Sequence, residues 1–248
     1  MMFLNEIKLA KKVAYDTAEM LQANFFSDAG VISNLKKDIK TEADRAAHEF
    51  IIDKLYKTGI PIISEEGNAA SFYLNDHQWI IDPIDGTINF TRGFGMSAVS
   101  IALWVDGIPI LGVIHHLFTN EVFSSFQNQG AFKNDKKITV NTLRQKNRAI
   151  LATGFPSGRN YSKKSLDNFI LNVQEYKKIR MLGSAALMLA YVACGYFDVY
   201  HEEDIYIWDV AAGLAIILEA GGKYSIEAGS SDFKYNIKAT NNFLINKF

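Results

Sequence analysis

The spacing of apolar residues predicts two helices at the start of the chain. Over residues 1–26, apolar side chains recur every three or four positions, which is the period of one face of a helix. The polar residues 27–40 predict a loop. A second helix is expected from Thr41 to about Lys57, because Thr41 and Asp44 have the spacing of a capping box, with Asp in place of the usual Glu.

Short apolar runs that are typical of β-strands follow the second helix. Residues 60–63 and 79–81 are two such runs. The second strand is expected to end at Pro83, because proline cannot donate a hydrogen bond to a neighbouring strand. The chain therefore turns from strand to loop within a stretch that also contains acidic residues.

An antiparallel sheet is predicted over residues 96–132. Asp106-Gly107 is a strong hairpin signal between strands at 97–105 and 108–117. His115 and His116 lie in the second of these strands, where neighbouring side chains point to opposite faces, so we interpret the pair as structural rather than as a metal chelate. A further strand is expected at 121–126, and residues 130–137 are expected to form a turn region.

In the second half of the chain, helices and strands alternate. Two layered α/β halves that meet near residue 140, within one domain spanning residues 1–248, fit this pattern. Strands are expected at residues 148–153, 178–182, 197–201, 223–226 and 237–240, and helices at 162–176, 185–194 and 206–220.

The strongest candidate for chemistry is the strand end from Asp82 to Thr87. Asp82 and Asp85 supply two carboxylates, and carboxylates bind hard cations through oxygen. Gly86 permits backbone shapes that other residues resist, and a helix starting there would offer free N–H groups to a phosphate. The alternative is a turn in which Asp82 caps the chain and Asp85 is solvated. That alternative does not explain two acids, Pro, Gly and Thr set so closely behind an apolar strand, so we favour a metal-dependent phosphate site.

Other acids could complete such a site. Glu65 and Glu66 follow the strand at 60–63, and because neighbours face different ways, only one is expected to reach a central metal; a charged surface turn is the alternative. Asp209 lies in an otherwise apolar helix, where an unpaired carboxylate is costly unless it meets a cation or strong donors. It could also be a first-turn acid that favours the helix dipole, and both interpretations hold if the helix begins near Tyr206.

Composition narrows the class of protein. The 248 residues are 48% hydrophobic and 21% charged, with a net charge of −1 and no basic stripe, so a nucleic-acid partner is not expected. The single cysteine, Cys194, excludes an internal disulfide and is interpreted as a small core residue. The apolar run at 185–194 is far shorter than the ~20 residues that span a bilayer, and the first residues lack a signal-peptide layout. A cytoplasmic protein without a membrane span is therefore predicted.

Two signatures carry a family resemblance. Residues 82–90 resemble the first signature of the inositol monophosphatase family, and residues 208–213 resemble the second. Thr41 and Asp44, and then Glu65-Glu66, precede them at the family's spacing, so the resemblance covers essentially the whole chain. It implies the αβαβα five-layer sandwich, an α/β fold, of the lithium-sensitive, magnesium-dependent phosphatases. Members of that family are commonly homodimers, and the apolar hairpin at residues 97–117 is expected to offer surface for such a contact.

The resemblance implies a role for each motif residue. Two or three Mg²⁺ ions would be held by Glu65, Asp82, the carbonyl of Ile84, Asp85 and Asp209. Asp44 and Thr87 would polarise the attacking water, and with Glu65 they form the implied catalytic group. The implied substrate contacts are Ile84, Asp85, Gly86, Thr87, Gly183, Ser184, Ala185, Glu202 and Asp209. Glu202 would accept a hydroxyl bond from the polyol, with a solvated acid beside Glu203 and Asp204 as the alternative.

The expected reaction is in-line hydrolysis of inositol monophosphate, or of a similar sugar or polyol phosphate, by metal-activated water. Sibling activities on 3′-phosphoadenosine-5′-phosphate or fructose 1,6-bisphosphate stay open, although the former relatives usually carry Lys-Glu-Phe where this chain has Ile88-Asn89-Phe90. A regulatory binding protein of transcription complexes is the alternative from a different class. Ser64, where many family members have Gly, and a short loop between Lys36 and Asp44 are departures from the family pattern.

Overall fold

The computed structural model describes residues 3–35, 38–67, 76–156 and 160–244. Within these ranges the structure contains six α-helices, of which all but the first lie between β-strands along the chain. The helices are α1 Leu4–Phe25, α2 Glu42–Leu55, α3 Thr87–Thr91, α4 Lys163–Val173, α5 Ala185–Ala193 and α6 Ile207–Glu219. None of them is both long enough and apolar enough to cross a lipid bilayer.

The larger sheet is formed by the first half of the chain. Its seven strands lie in sequence order; the first pair is parallel and the others are antiparallel. Val105 pairs with Ile108 across Asp106-Gly107, which confirms the predicted hairpin. The strands are β3 Ile62–Ser64, β4 Gln78–Asp85, β5 Ala98–Val105, β6 Ile108–His116, β7 Val122–Phe126, β8 Gly130–Lys133 and β9 Lys136–Ile138.

The smaller sheet is formed by the second half. Its strand order is β11-β10-β12-β14-β13, with β10 parallel to both β11 and β12 and the remaining pairs antiparallel. A separate hairpin, β1 Val31–Leu35 with β2 Asp38–Thr41, precedes α2. The strands of the smaller sheet are β10 Ile150–Ala152, β11 Lys178–Arg180, β12 Val199–Tyr206, β13 Lys223–Ala228 and β14 Lys234–Thr240.

The buried residues define five layers. On β4, Trp79 and Ile81 pack with α1 and α2, whereas Ile80 between them packs with α5 and α6 on the other face. This alternation is the period-2 pattern of a strand that is covered on both faces. The second face of the α5–α6 layer covers the smaller sheet, which packs against α4 through Leu151 and Val173. The order is helices, sheet, helices, sheet, helix, which confirms the predicted αβαβα sandwich.

Helix α6 lies unusually close to the larger sheet at Gly112. A Cβ atom on Gly112 would be 2.3 Å from the carbonyl oxygen of Ala212, so only glycine allows the two backbones to approach in this way. This close packing matters for the site because Asp209 lies in the first turn of the same helix.

Several sequence predictions were wrong. Residues 27–40 contain the β1–β2 hairpin rather than only a loop, although the Lys36-Lys37 pair lies outside the described residues. Strand β4 continues through Pro83 to Asp85, because an irregularity between Asp82 and Asp85 removes Pro83 from the ladder. Residues 130–137 contain β8 and most of β9. The hairpin at 97–117 is almost entirely buried between α1 and α6, so it does not offer the expected dimer surface.

Candidate active site

The ends of β3 and β4 bring Glu65 close to Asp82. The two strands run parallel, with Ser64 opposite Ile81, and the Glu65 N–H donates to the Ile81 carbonyl at 3.4 Å. Glu65 therefore lies beside Asp82, at the edge where β4 ends. Glu66 turns away and forms an ion pair with Lys40 at 2.9 Å. The expectation that only one of the two adjacent glutamates faces the centre agrees with this arrangement.

Three carboxylates converge at this edge. One oxygen each from Asp82, Asp85 and Asp209 lies within 4.8 Å of the other two. Asp82 is 1% and Asp85 6% exposed, whereas Asp209 keeps part of its surface open to the cleft. Asp209 is the third residue of α6, so it is both an acid in the first helical turn and a member of the acidic cluster. The two interpretations that the sequence offered are therefore compatible.

Donors from the start of α5 hold the Asp85 carboxylate. The Ser184 hydroxyl and the backbone N–H groups of Ala185 (3.3 Å) and Ala186 (2.9 Å) all donate to it. Ser184 also caps α5, because its hydroxyl oxygen accepts the Leu187 N–H. The predicted substrate contacts Ser184 and Ala185 therefore support a predicted metal ligand while they line the cleft.

Gly86 forms the turn after β4. Its φ of 84° lies in the left-handed region, and a Cβ atom there would be 2.7 Å from the Met96 carbonyl oxygen, so a glycine is required on both counts. The Ser97 hydroxyl donates to the Gly86 carbonyl at 2.8 Å. Asn89, one turn further on, donates to the Leu182 carbonyl at 2.8 Å and so ties this turn to the loop before α5.

Asp44 lies behind Thr87 rather than in the cleft itself. The capping box is present as predicted: the Asp44 N–H donates to Thr41 Oγ1 at 3.1 Å, and the Thr41 N–H donates to Asp44 Oδ2 at 2.9 Å. The other carboxylate oxygen of Asp44 is 3.2 Å from the Thr87 hydroxyl, which also lies 3.1 Å from the Ile84 carbonyl. Asp44 thus combines a helix cap with a contact to a candidate catalytic hydroxyl.

Glu202 reaches the cleft from the smaller sheet. It lies within β12, not after a strand, and it is 4% exposed, which excludes the alternative of a solvated acid. Its charge is one of the influences that raise the pKa of Asp209. Apart from Asp44, every residue predicted for the site lines one cleft of about 320 Å³.

The cleft also has lining residues that sequence reasoning missed. They come from the α3 turn, from the segment after β10, and from α5 and β12: Ile88, Asn89, Gly154, Phe155, Pro156, Met188 and Ile205. Ile88 and Asn89 lie within the first family signature, which was not interpreted as giving them a site role, and Gly-Phe-Pro at the end of a predicted strand carried the signal of a turn at a sheet edge. The others are ordinary apolar residues whose placement depends on long-range packing.

Burial makes the charged forms of the clustered acids unfavourable. Burial, followed by the charges of Glu65, Asp85 and Asp209, raises the pKa of Asp82 well above its usual range. Burial also raises the pKa of Asp85 to about 6, although the Ser184 and Ala186 donors oppose the shift. Burial, followed by the charges of Glu65 and Asp85, likewise raises the pKa of Asp209 well above its usual range. An acidic cluster of this kind needs a compensating positive charge.

The fold and the site together define a five-layer α/β protein with an acidic cleft that residues from both sheets line. The model of the family described as "Inositol monophosphatase family" matches residues 4–242. The chain belongs to that family, and it is accordingly a phosphoric monoester hydrolase.

The chain is similar in sequence to proteins named as inositol monophosphatases and to proteins named as Nus factors, and similar in fold to solved structures of an inositol monophosphatase and of a suhB protein. The inositol-1-monophosphatase of Mesorhizobium japonicum is 37% identical over 84% of this chain and 82% of its own length. The Nus factor SuhB of Xylella fastidiosa is 40% identical over 77% of this chain and 70% of its own. Among solved structures, the suhB protein of Bartonella henselae superposes with a TM-score of 0.86 at 32% identity, over 98% of this chain and 96% of that one.

Proposed function

We propose that this phosphatase hydrolyses inositol monophosphate, or a similar polyol or sugar phosphate, in a reaction that depends on Mg²⁺. The observation that carries the proposal is that Asp82, Asp85 and Asp209 each bring a carboxylate oxygen within 4.8 Å of the other two in one cleft. Among the described residues that line this cleft there is no lysine or arginine. Because these clustered, buried carboxylates raise one another's pKa values, a bound cation is their natural partner.

The donor set fits magnesium. Carboxylate and carbonyl oxygens are the ligands that Mg²⁺ takes, together with waters and substrate phosphate. Glu65, Asp82, Asp85, Asp209 and the Ile84 carbonyl would hold two or three ions, as the family resemblance implies. When bound, Mg²⁺ would supply positive charge that acidifies a water molecule and stabilises negative charge on the phosphate.

The chain's own residues would orient and deprotonate the water. The Thr87 hydroxyl can donate to Asp44 and at the same time accept a hydrogen bond from water on its oxygen. Burial, which outweighs the Thr41 hydrogen bonds, raises the pKa of Asp44 to about 6, so this carboxylate is charged at neutral pH yet basic enough to receive a proton. A proton would pass from water through Thr87 to Asp44.

Recognition of the leaving group would come from the smaller sheet. Glu202 approaches the cleft from β12, whereas the proposed phosphate contacts at residues 84–87 lie at the end of β4. Phe155, Ile88 and Ile205 add apolar surface to the same cleft. A polyol or sugar ring, with hydroxyls at its rim and C–H groups on its faces, matches that combination.

Phosphate release from a panel of monophosphates tests the proposal. With Mg²⁺ we expect turnover of inositol 1-phosphate, loss of turnover in excess EDTA, and inhibition by lithium. The panel should include fructose 1,6-bisphosphate and 3′-phosphoadenosine-5′-phosphate, because a clear preference for either would replace the proposed substrate class. Full activity in EDTA would contradict the metal dependence.

A matched control comes from Asp106. Asp85→Asn should abolish turnover, whereas Asp106→Asn changes an exposed acid in the β5–β6 turn. That turn follows the end of β5 opposite to Ala98, which pairs with Asp85. If both variants lost activity equally, the loss could not be assigned to the acidic cluster.

The Nus factor names of several relatives favour a second candidate, a regulatory binding protein of transcription complexes. The Asp85→Asn protein, freed of turnover, is the suitable bait for a pull-down from cell extract with the captured proteins identified by mass spectrometry. Recovery of transcription components by bait and wild type alike would support this role. Their absence, with full phosphatase activity in the wild type, would contradict it.

We also propose a homodimer in solution, on the resemblance alone, since the hairpin at 97–117 is buried within the chain. Light scattering at assay concentration should give twice the mass of one chain. A monomeric mass would overturn the proposal.

A further inference from the structure

Gly154 lies beside Glu202 because two parallel strands set their register. Ala152, the last residue of β10, pairs with Tyr200 of β12; Gly154 follows two residues after the end of β10, and Glu202 lies two residues further along β12. The Thr153 hydroxyl donates to the His201 carbonyl at 2.6 Å and fixes the register just before this point. Gly154 and Glu202 are therefore neighbours just beyond the paired residues, and both line the cleft.

The space beside Gly154 is filled by the Glu202 carboxylate. A Cβ atom built on Gly154 would lie 2.7 Å from Glu202 Oε1, 3.2 Å from Cδ and 3.3 Å from Oε2. These are its three nearest atoms outside the adjacent residues, so any side chain at position 154 would meet this carboxylate before anything else. The obstacle is the end of a flexible side chain, and Gly154 does not have a positive φ, so alanine fits the backbone.

From this contact we infer that Gly154 is a positioning residue for leaving-group specificity: by lacking a side chain, it sets where the Glu202 carboxylate stands in the cleft. The inference rests on the proposed function, in which Glu202 accepts a hydrogen bond from a hydroxyl of the leaving group. A methyl group at position 154 would push the carboxylate away by several tenths of an ångström or turn it to another rotamer. Hydrogen bonds weaken steeply with such changes in distance and angle.

Gly154→Ala should therefore raise KM for hydroxyl-rich substrates more than for others. For inositol 1-phosphate we expect KM to rise about ten-fold, the scale of a lost hydrogen bond to a charged group, with a much smaller change in kcat. For 4-nitrophenyl phosphate, whose leaving group offers no hydroxyl to Glu202, the rise in KM should be about ten-fold smaller. If the KM values for both substrates rose together, Gly154 would act on the phosphate end and the inference would be overturned.

The Glu202→Ala background separates positioning from a general structural effect. In that background Gly154→Ala has no carboxylate to displace, so it should change KM for inositol 1-phosphate by less than about two-fold. An equal rise in KM in both backgrounds would overturn the inference. If Glu202→Ala itself leaves KM unchanged in an enzyme that hydrolyses inositol 1-phosphate, the proposed role of Glu202 fails as well. If the wild type does not hydrolyse inositol 1-phosphate, the same comparison uses the polyol or sugar phosphate it hydrolyses fastest.

Two further measurements keep the inference testable if Gly154→Ala folds poorly. Glu202→Asp keeps Gly154 but withdraws the carboxylate by one methylene, so it should reproduce the rise in KM; an unchanged KM would show that the reach of the carboxylate does not matter. A crystal structure of Gly154→Ala should show Glu202 displaced, and an undisplaced carboxylate would overturn the inference.

Discussion

Asp44 is the residue whose charge should set the acidic limb of the pH–rate profile. Burial raises its pKa to about 6, so the rate should fall as the pH drops through about 6, because a protonated Asp44 cannot take a proton from Thr87. Asp44→Asn should lower kcat by about 10²-fold or more and remove this acidic limb, measured as log kcat between pH 5 and pH 8. Glu49→Gln, an exposed change on the same helix, serves as the control. An acidic limb that persists in Asp44→Asn would show that another group carries it.

A second residue-scale prediction separates chemistry from recognition. Asp85→Asn removes a proposed metal ligand, so kcat should fall by orders of magnitude. Glu202→Gln should act mainly on KM, because the hydroxyl that it would bind is present in substrate and transition state alike; the cost is ~1.5–3 kcal/mol. Kinetics on inositol 1-phosphate and 2-glycerophosphate measure both. A fall in kcat that is equally large for Glu202→Gln would contradict this division of roles.

At this scale the sequence identified the acids well and their neighbours poorly. Asp82, Asp85 and Asp209 stand out because a carboxylate beside apolar residues is costly wherever it lies. Glu202 could be interpreted as solvated, since its own stretch of sequence is acidic, and only the pairing of β12 with β14 and the contact with Gly154 show that it is buried. Gly154 carries no chemistry of its own, and the Gly-Phe-Pro sequence that begins with it indicates only a turn, not a place in the site.

Among the elements, α6 offers the sharpest test of packing. Gly112→Ala would place a Cβ atom 2.3 Å from the Ala212 carbonyl oxygen, and because that obstacle is backbone, helix or strand must shift. Overpacking of this kind costs ~1–3 kcal/mol or more, which for a chain of this size lowers Tm by roughly 3–10 °C. Thermal unfolding, monitored by circular dichroism, measures this change in Tm. Gly59→Ala, where a Cβ atom would meet nothing within 4 Å, is a comparison without a steric clash although its φ is positive.

Because α6 also carries Asp209, Gly112→Ala should reduce activity at temperatures at which the protein is still folded. A variant that unfolds earlier but keeps full kcat would show that the position of α6 and the geometry of the site are independent.

Local signals predicted the elements well where a turn or a cap determines them. The Asp106-Gly107 turn and the Thr41–Asp44 cap are of this kind, because the residues themselves make the defining contacts. The errors arose where pairing with a neighbouring strand determines whether a segment is a strand and where it ends. Pro83 does not end β4, because the irregularity in pairing with β5 leaves its missing N–H without a role in the ladder. Strands β1, β2, β8 and β9 are only three to five residues long, too short to show a clear alternation of apolar and polar side chains, so their sequences resemble loops.

For the whole molecule, the site lies where the two halves meet. The first half supplies Glu65, Asp82 and Asp85 from the larger sheet, and the second supplies Glu202 from the smaller sheet and Asp209 from the helix layer between them. Asn89 links the halves directly through the Leu182 carbonyl. Composition and periodicity could predict two α/β halves, but the family signatures were needed to predict that they share one site, because no local pattern encodes the way in which two sheets pack.

This arrangement predicts that Mg²⁺ stabilises the entire fold. The acids that converge between the halves are buried and repel one another, which raises the pKa of Asp82 well above its usual range. A ligand that binds only the folded state at 100 times its Kd adds about 2.7 kcal/mol, which corresponds to a rise in Tm of roughly 5–10 °C for a chain of this size. Differential scanning fluorimetry with Mg²⁺ and with excess EDTA measures the difference.

Asp82→Asn should raise the Tm measured in EDTA and reduce the rise in Tm that Mg²⁺ causes. The amide oxygen can still accept the Ile84 N–H, which donates to Asp82 at 3.0 Å, while the charge that repels Glu65, Asp85 and Asp209 is removed. In EDTA the variant should therefore unfold at a higher temperature than the wild type, and with Mg²⁺ its gain in Tm should be largely lost. Asp106→Asn should behave like the wild type in both conditions. If Asp82→Asn were less stable than the wild type in EDTA and kept the full Mg²⁺-dependent rise, the acidic cluster would not be the metal site.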